Sequence, residues 1–203
     1  MNILRPTVEA AYWLVLTVWT GAIVTAGVAA SFAFTILPDV AMTLPDYPAA
    51  TNPGQLAAGL LMERVFWFVD VVQFGSAAAL LILLVIQLIA FRRPGRGLSN
   101  VVRTLAILVA VASLGWRAST IAPGMNAELR AYWNAAQSVE TAAEARAHQA
   151  AFDVDHPKAA RWFNITFASL LLAIVASAVH TVPLVPRPRA TDALEPPALA
   201  TRR

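Results

Sequence analysis

Residues 65–75 read VFWFVDVVQFG, and they open a predominantly apolar stretch that continues to residue 91 with Asp70 and Gln73 inside it. A helix needs roughly 20 residues to cross about 30 Å of hydrocarbon, so 65–91 is long enough to span a bilayer. Working outward, residues 11–37, 104–122 and 160–182 are stretches of the same kind. None shows the ten-residue alternation of a transmembrane β-barrel. The expected fold is therefore all-α, an integral membrane four-helix bundle over residues 1–184, with a Pro-rich tail over 185–203 that has little to bury and reads as disordered.

Composition points the same way. Of 203 residues, 58% are hydrophobic and 13% charged, against about 45 to 50% hydrophobic in soluble domains. The first apolar stretch is longer than the roughly 7 to 15 residues of a secretory h-region, so it reads as a retained anchor. With no cysteine in the chain, disulfides, thiolate metal sites and cysteine nucleophiles are excluded. Arginine supplies every basic side chain except Lys158, and alanine is abundant, a bias that suggests a bacterial source. The net charge of +3 sits in connections and tails and not on one face, so nucleic acid is not expected as a partner.

Those connections predict orientation. Residues 92–103 carry Arg92, Arg93, Arg96 and Arg103 with no acid, which marks that connection as cytoplasmic. Arg5 and the tail arginines fall on the same side, whereas Asp39, Asp46 and most remaining acids fall on the other. Both termini are expected in the cytoplasm of a bacterial inner-membrane protein. On the outer side, residues 126–149 are rich in strong helix formers and predict an extra surface helix in the third loop. Gly21, Thr25 and Ala29, spaced by four, predict a close-packing seam on the first span.

Depth brings the polar residues together. Asp70 lies seven residues below Glu63, roughly 10 Å, and Arg117 about six residues below Pro123, roughly 9 Å; Asn164 lies at a similar depth after His156. Charges inside a bilayer cost at least about 2.5 to 3.5 kcal/mol on insertion scales, so they face the bundle interior and find partners. The expected cluster is Glu63, Asp70, Gln73, Ser113, Arg117, His156 and Asn164, with Asp70 and Arg117 as its ion pair. A pair of this kind either fixes which helices are neighbours or serves a bound molecule.

WTGAIVTAGVAASFAFTILP at 19–38, AGLLMERVFWFVDVVQFG at 58–75, RASTIAPGMN at 117–126 and FDVDHPKAARWFNITFASLLLAIV at 152–175 together resemble the four-span membrane proteins typified by transmembrane protein 205, over roughly residues 11–182. Gly21, Phe34, Pro38, Phe152, His156 and Asn164 carry the resemblance, and Trp116 with Arg117 is similar to a feature of anthrone-oxygenase-like four-span proteins. The chain departs in the acidic FDVDHP, where the first family has an apolar residue beside its His. The resemblance implies architecture and a loose link to drug or metal tolerance; it implies no reaction.

Other chemistry finds little support. His156 and His180 are separated by roughly 36 Å along one helix and cannot share a haem iron. His148, His156, Asp153 and Asp155 lack a diagnostic metal spacing, and the acids suit a helix entry. There is no nucleophile elbow and no phosphate loop. No cofactor is expected. The expected function is non-enzymatic: binding or helping to move a small lipophilic ligand, or acting as accessory subunit of a membrane complex. The alternative is a cofactor-independent membrane enzyme, with Asp70 or His156 as general base and Arg117 stabilising an oxyanion.

Overall fold

A computed structural model of the chain describes residues 3–91 and 97–181. The arginine-rich connection at 92–96, the His180 side chain and the tail from residue 182 lie outside the described residues. The described chain is helical: α1 Leu4–Ile36, α2 Pro53–Phe91, α3 Leu98–Trp116, α4 Ala122–Ala135 and α5 Ala142–Thr181. A five-residue π turn, Arg117–Ile121, joins α3 to α4, so that Leu98–Ala135 is one continuous rod. Four helical stretches, Leu4–Asp39, Pro53–Ala90, Leu98–Ala135 and Val139–Val179, are long and apolar enough to cross a membrane.

Start and stop signals fix the rods. Asn52 accepts the Gln55 N–H on Oδ1 at 2.9 Å and Pro53 opens α2, where its missing N–H costs nothing. The π turn follows from Pro123: the ring has no N–H for the Ser119 carbonyl and would clash with it in an α-helix. The chain widens there instead, and the Ala122 N–H donates to the Arg117 carbonyl five residues back.

The rods pack as two antiparallel pairs, α1 on α2 and α3 on α5, with fewer close backbone approaches between the pairs. Large side chains fill the centre: Tyr12, Leu16, Trp19 and Ile23 of α1 meet Leu80, Ile107, Leu114 and Leu170. This corrects part of the small-residue seam. Gly21 and Thr25 are exposed, because the residues with most surface to bury recur at 12, 16, 19 and 23 and claim the inner face, whereas Ala29 does pack against the α1–α2 cluster of Ala33, Ala58 and Met62.

The extra surface helix is also corrected. Residues 126–149 are split by a turn at Ala136–Ser138, so that α4 and the first turns of α5 form a helical hairpin continuing the third and fourth rods. Its faces close over Tyr132, Trp133, Ala136 and Ala145, and the connection before α2 folds onto them through Leu44, Tyr47 and Ala50. Ser138 ends the run of helix formers by accepting the Glu140 N–H in a cap.

His148 links the two arms of this hairpin. Its Nδ1 lies 2.7 Å from Glu128 Oε2 and its Nε2 3.7 Å from Glu144 Oε1. The hydrogen bond to Glu128 is the main cause that raises its pKa above the ordinary histidine value. A raised folded-state pKa means the contribution is complete below the unfolded value of about 6.5 and is lost as pH rises through the folded one. The unfolding temperature of the wild type should therefore exceed that of His148→Ala most below about pH 6.5, and the gap should narrow as pH rises above it. A pH-independent gap would contradict the linkage.

Candidate functional site

Toward the hairpin end of the bundle, the α1–α2 and α3–α5 pairs are bridged by long polar side chains. Arg117, at the first residue of the π turn and 9% exposed, donates from Nη2 to Asp70 Oδ1. Gln73 Nε2 donates to the same Oδ1 at 3.0 Å. Gln73, wholly buried, receives the Trp19 indole N–H on Oε1 at 3.2 Å. A chain of hydrogen bonds thus runs from α1 through α2 to α3. Both bonds to Asp70 end on one oxygen. Oδ2 has no hydrogen-bond partner among the described residues, and 35% of the side chain is exposed.

Aromatic rings surround this pair. The Arg117 guanidinium carbon is 5.8 Å from the centroid of Phe163, which meets Phe66 edge to face at 6.3 Å. The residues next in sequence to Arg117 and Phe163, Trp116 and Trp162, pair with each other at 6.1 Å between centroids. The guanidinium is thereby held by one carboxylate and one ring face. Chemically, the seam offers an acceptor oxygen of a partly exposed carboxylate among flat apolar surfaces.

No protein-family model, curated protein or solved structure matches the chain. Its chemistry is read from its own residues.

The structure separates the residues that the depth reckoning had grouped. Asp70, Gln73 and Arg117 form the bonded core. Ser113 is a turn deeper and pairs with Thr166 of α5 at 3.0 Å, which fastens α3 to α5 and leaves the ion pair untouched. Glu63 lies apart, 3.7 Å from the exposed Arg130 of α4. Asn164 and His156 are corrections: both are exposed, His156 stacks on Phe152 with centroids 5.1 Å apart, and neither bonds to the pair. Height along a rod follows from residue number, but each residue also turns by about 100°, and Phe163 rather than Asn164 takes the inward direction. Thr120 is exposed for a related reason, since the π turn adds a residue and shifts the face after Arg117.

Two participants were missed. Trp19 carries no spacing cue toward Gln73. Arg103 was counted among the loop charges, yet it is 6% exposed inside the bundle and its Nη1 is 2.9 Å from Glu9; a cue existed, because Arg103 precedes Arg117 by 14 residues, near a whole number of turns.

Proposed function

We propose that the chain is a multi-pass protein of the bacterial inner membrane, its four rods crossing the bilayer with both termini in the cytoplasm, and that it binds a small lipophilic molecule at the Asp70–Arg117 seam. The seam then lies in the outer half of the bundle, under the hairpin. Support for a lipid surrounding comes from the bundle's exterior: between 22% and 39% of each apolar window is buried within it, and side chains such as Val28, Phe68, Val85 and Val175 face outward. Exposed apolar surface on that scale requires a covering.

The observation that carries the binding role is Asp70. An intramembrane ionisable residue is by default a candidate for a ligand or ion site. Here Oδ2 remains open on a partly exposed carboxylate, whose partner Arg117 lies over Phe163, with Phe66 edge to face beyond it. The complementary group is a hydroxyl donor on a flat apolar body, which makes a phenol-like amphiphile the best-matched class. Binding at this position is non-enzymatic in this reading, since Arg117 and Gln73 hold Asp70 as a fixed acceptor.

The test uses 4-hydroxybenzophenone, a phenol that is its own photolabel, on the full chain in lipid nanodiscs. Labelling should concentrate on peptides covering residues 66–75 and 113–121 and be suppressed by excess 4-phenylphenol. Asp70→Asn should weaken it by roughly tenfold, the worth of one hydrogen bond to a charged group. Equal labelling of wild type and variant removes the proposal. Should stoichiometric companion subunits copurify in mild detergent while labelling is absent, the accessory-subunit role replaces it.

A further inference from the structure

The two helix pairs are bridged a second time, at the end of the bundle away from the hairpin. Arg103 donates from Nη1 to Glu9 Oε1 at 2.9 Å and from Nη2 to Gln87 Oε1. Gln87 Nε2 donates on to Glu9 Oε2 at 3.4 Å. The guanidinium carbon sits 4.4 Å from the centroid of Tyr12, whose hydroxyl is 3.1 Å from Ser177 Oγ. Trp13 meets Tyr12 edge to face at 6.3 Å.

This layer repeats the first in the kinds of residue it uses and in the helix faces they occupy. Gln87 follows Gln73 by 14 residues on α2, Arg103 precedes Arg117 by 14 on α3, and Tyr12 precedes Trp19 by 7 on α1. Fourteen residues are close to four helical turns and seven close to two, so each set stays on one face; the layers stand roughly 21 Å apart along the second and third rods and roughly 10 Å apart along α1. Each layer joins an arginine of α3, a glutamine of α2, a carboxylate of the α1–α2 pair and an aromatic ring of α1.

One difference decides what the second layer lacks. Both Glu9 oxygens are taken by protein donors, while Arg103 Nε is buried and has no hydrogen-bond partner among the described residues. A buried donor without an acceptor is costly. Glu9 keeps 29% of its side chain exposed and gives the layer its accessible edge.

We infer that Glu9, Gln87, Arg103 and Tyr12 form a second binding site for the same class of molecule, a flat hydroxyl-bearing amphiphile; the inference rests on the proposed role of the Asp70 seam. A phenolic hydroxyl satisfies both layers, donating to Asp70 at one and accepting from Arg103 Nε at the other. With the proposed orientation, the two sites serve opposite leaflets. The chain then offers one holding point on each side of the bilayer, an acceptor at one and a donor at the other, an arrangement suited to passing a molecule between them.

The experiment labels the full chain with 4-hydroxybenzophenone in nanodiscs of phosphatidylethanolamine and phosphatidylglycerol and maps cross-links by mass spectrometry. Cross-links are expected on residues 9–13 and 99–107 as well as on the Asp70 seam, both sets suppressed by excess 4-phenylphenol. The paired substitution Glu9→Gln with Arg103→Gln should lower the first set by roughly tenfold and leave the second unchanged. Three results overturn the inference: labelling of 9–13 and 99–107 no stronger than at the outward-facing residues 171–175, labelling that the competitor does not suppress, as when water alone serves Nε, or labelling unchanged in the paired variant. If the paired variant loses both sets through misfolding, Arg103→Lys decides, since it keeps the charge and removes the Nε donor; unaltered labelling there overturns the inference. Cross-links confined to the Glu9 layer in the wild type would instead remove the Asp70 seam.

Discussion

Asp70→Leu is expected to lower stability by about 2 to 3 kcal/mol, because it leaves the buried Arg117 over the Phe163 ring with no carboxylate to face. Removing one partner of a fully buried pair costs about 3 to 5 kcal/mol, and the partial exposure of Asp70 reduces that figure. Gln73 would lose its acceptor at the same time and leave Trp19 as its one side-chain partner. Thermal unfolding in detergent, followed by tryptophan fluorescence, reads the loss. The companion variant Asp70→Leu with Arg117→Met should recover most of it, since an ion pair replaced by apolar side chains of similar size is often neutral or stabilising. The coupling between the substitutions is the measure of the pair itself. Wild-type stability in the single variant would mean that Arg117 reaches water or lipid headgroups, and the bundle-bridging role would fall.

Gly54→Ala should be at least as damaging, although it lies outside the polar seam. A Cβ at Gly54 would stand 2.0 Å from the Leu37 carbonyl oxygen, 2.6 Å from its carbon and 2.8 Å from Pro38 Cα. All three are backbone atoms, so no rotamer change relieves the contact and the end of α1 must move off the start of α2. Alanine is the better helix former, which means any loss reports the clash alone. A cost of about 3 kcal/mol, the upper part of the usual range for overpacking, is expected. Gly59→Ala is the control: its Cβ would meet Trp133 at an ordinary 3.8 Å, and the two variants should differ clearly in unfolding temperature. Similar behaviour would show that the α1–α2 connection yields easily.

The rods themselves were legible because hydrophobicity and length are read along the chain. The apolar run at 65–91 announces α2 without any knowledge of its neighbours, although the helix itself begins earlier, at Pro53. The ion pair was legible for a comparable reason: a charge in an apolar segment must find its opposite, and residue number converts to height along a rod. Residues 126–149 show the limit. Strong helix formers said helix, but propensity is silent on whether a turn at Ala136–Ser138 folds the helix back on itself, and the packing of Tyr132 and Trp133 against Leu44 and Tyr47 settled that.

What the amino-acid sequence determined by itself was one-dimensional: four long apolar helices, the heights of Asp70, Gln73 and Arg117, and the absence of cysteine chemistry. The tertiary structure alone decided direction about each axis. It turned Asn164 and His156 outward, put Trp19 on Gln73, drew Arg103 inside to Glu9, and brought Gly54 against Leu37. The physical reason is that rise along a helix is a property of the backbone, whereas the azimuth of a side chain is fixed by competition among all faces for burial, and a single π turn before Pro123 is enough to reset it.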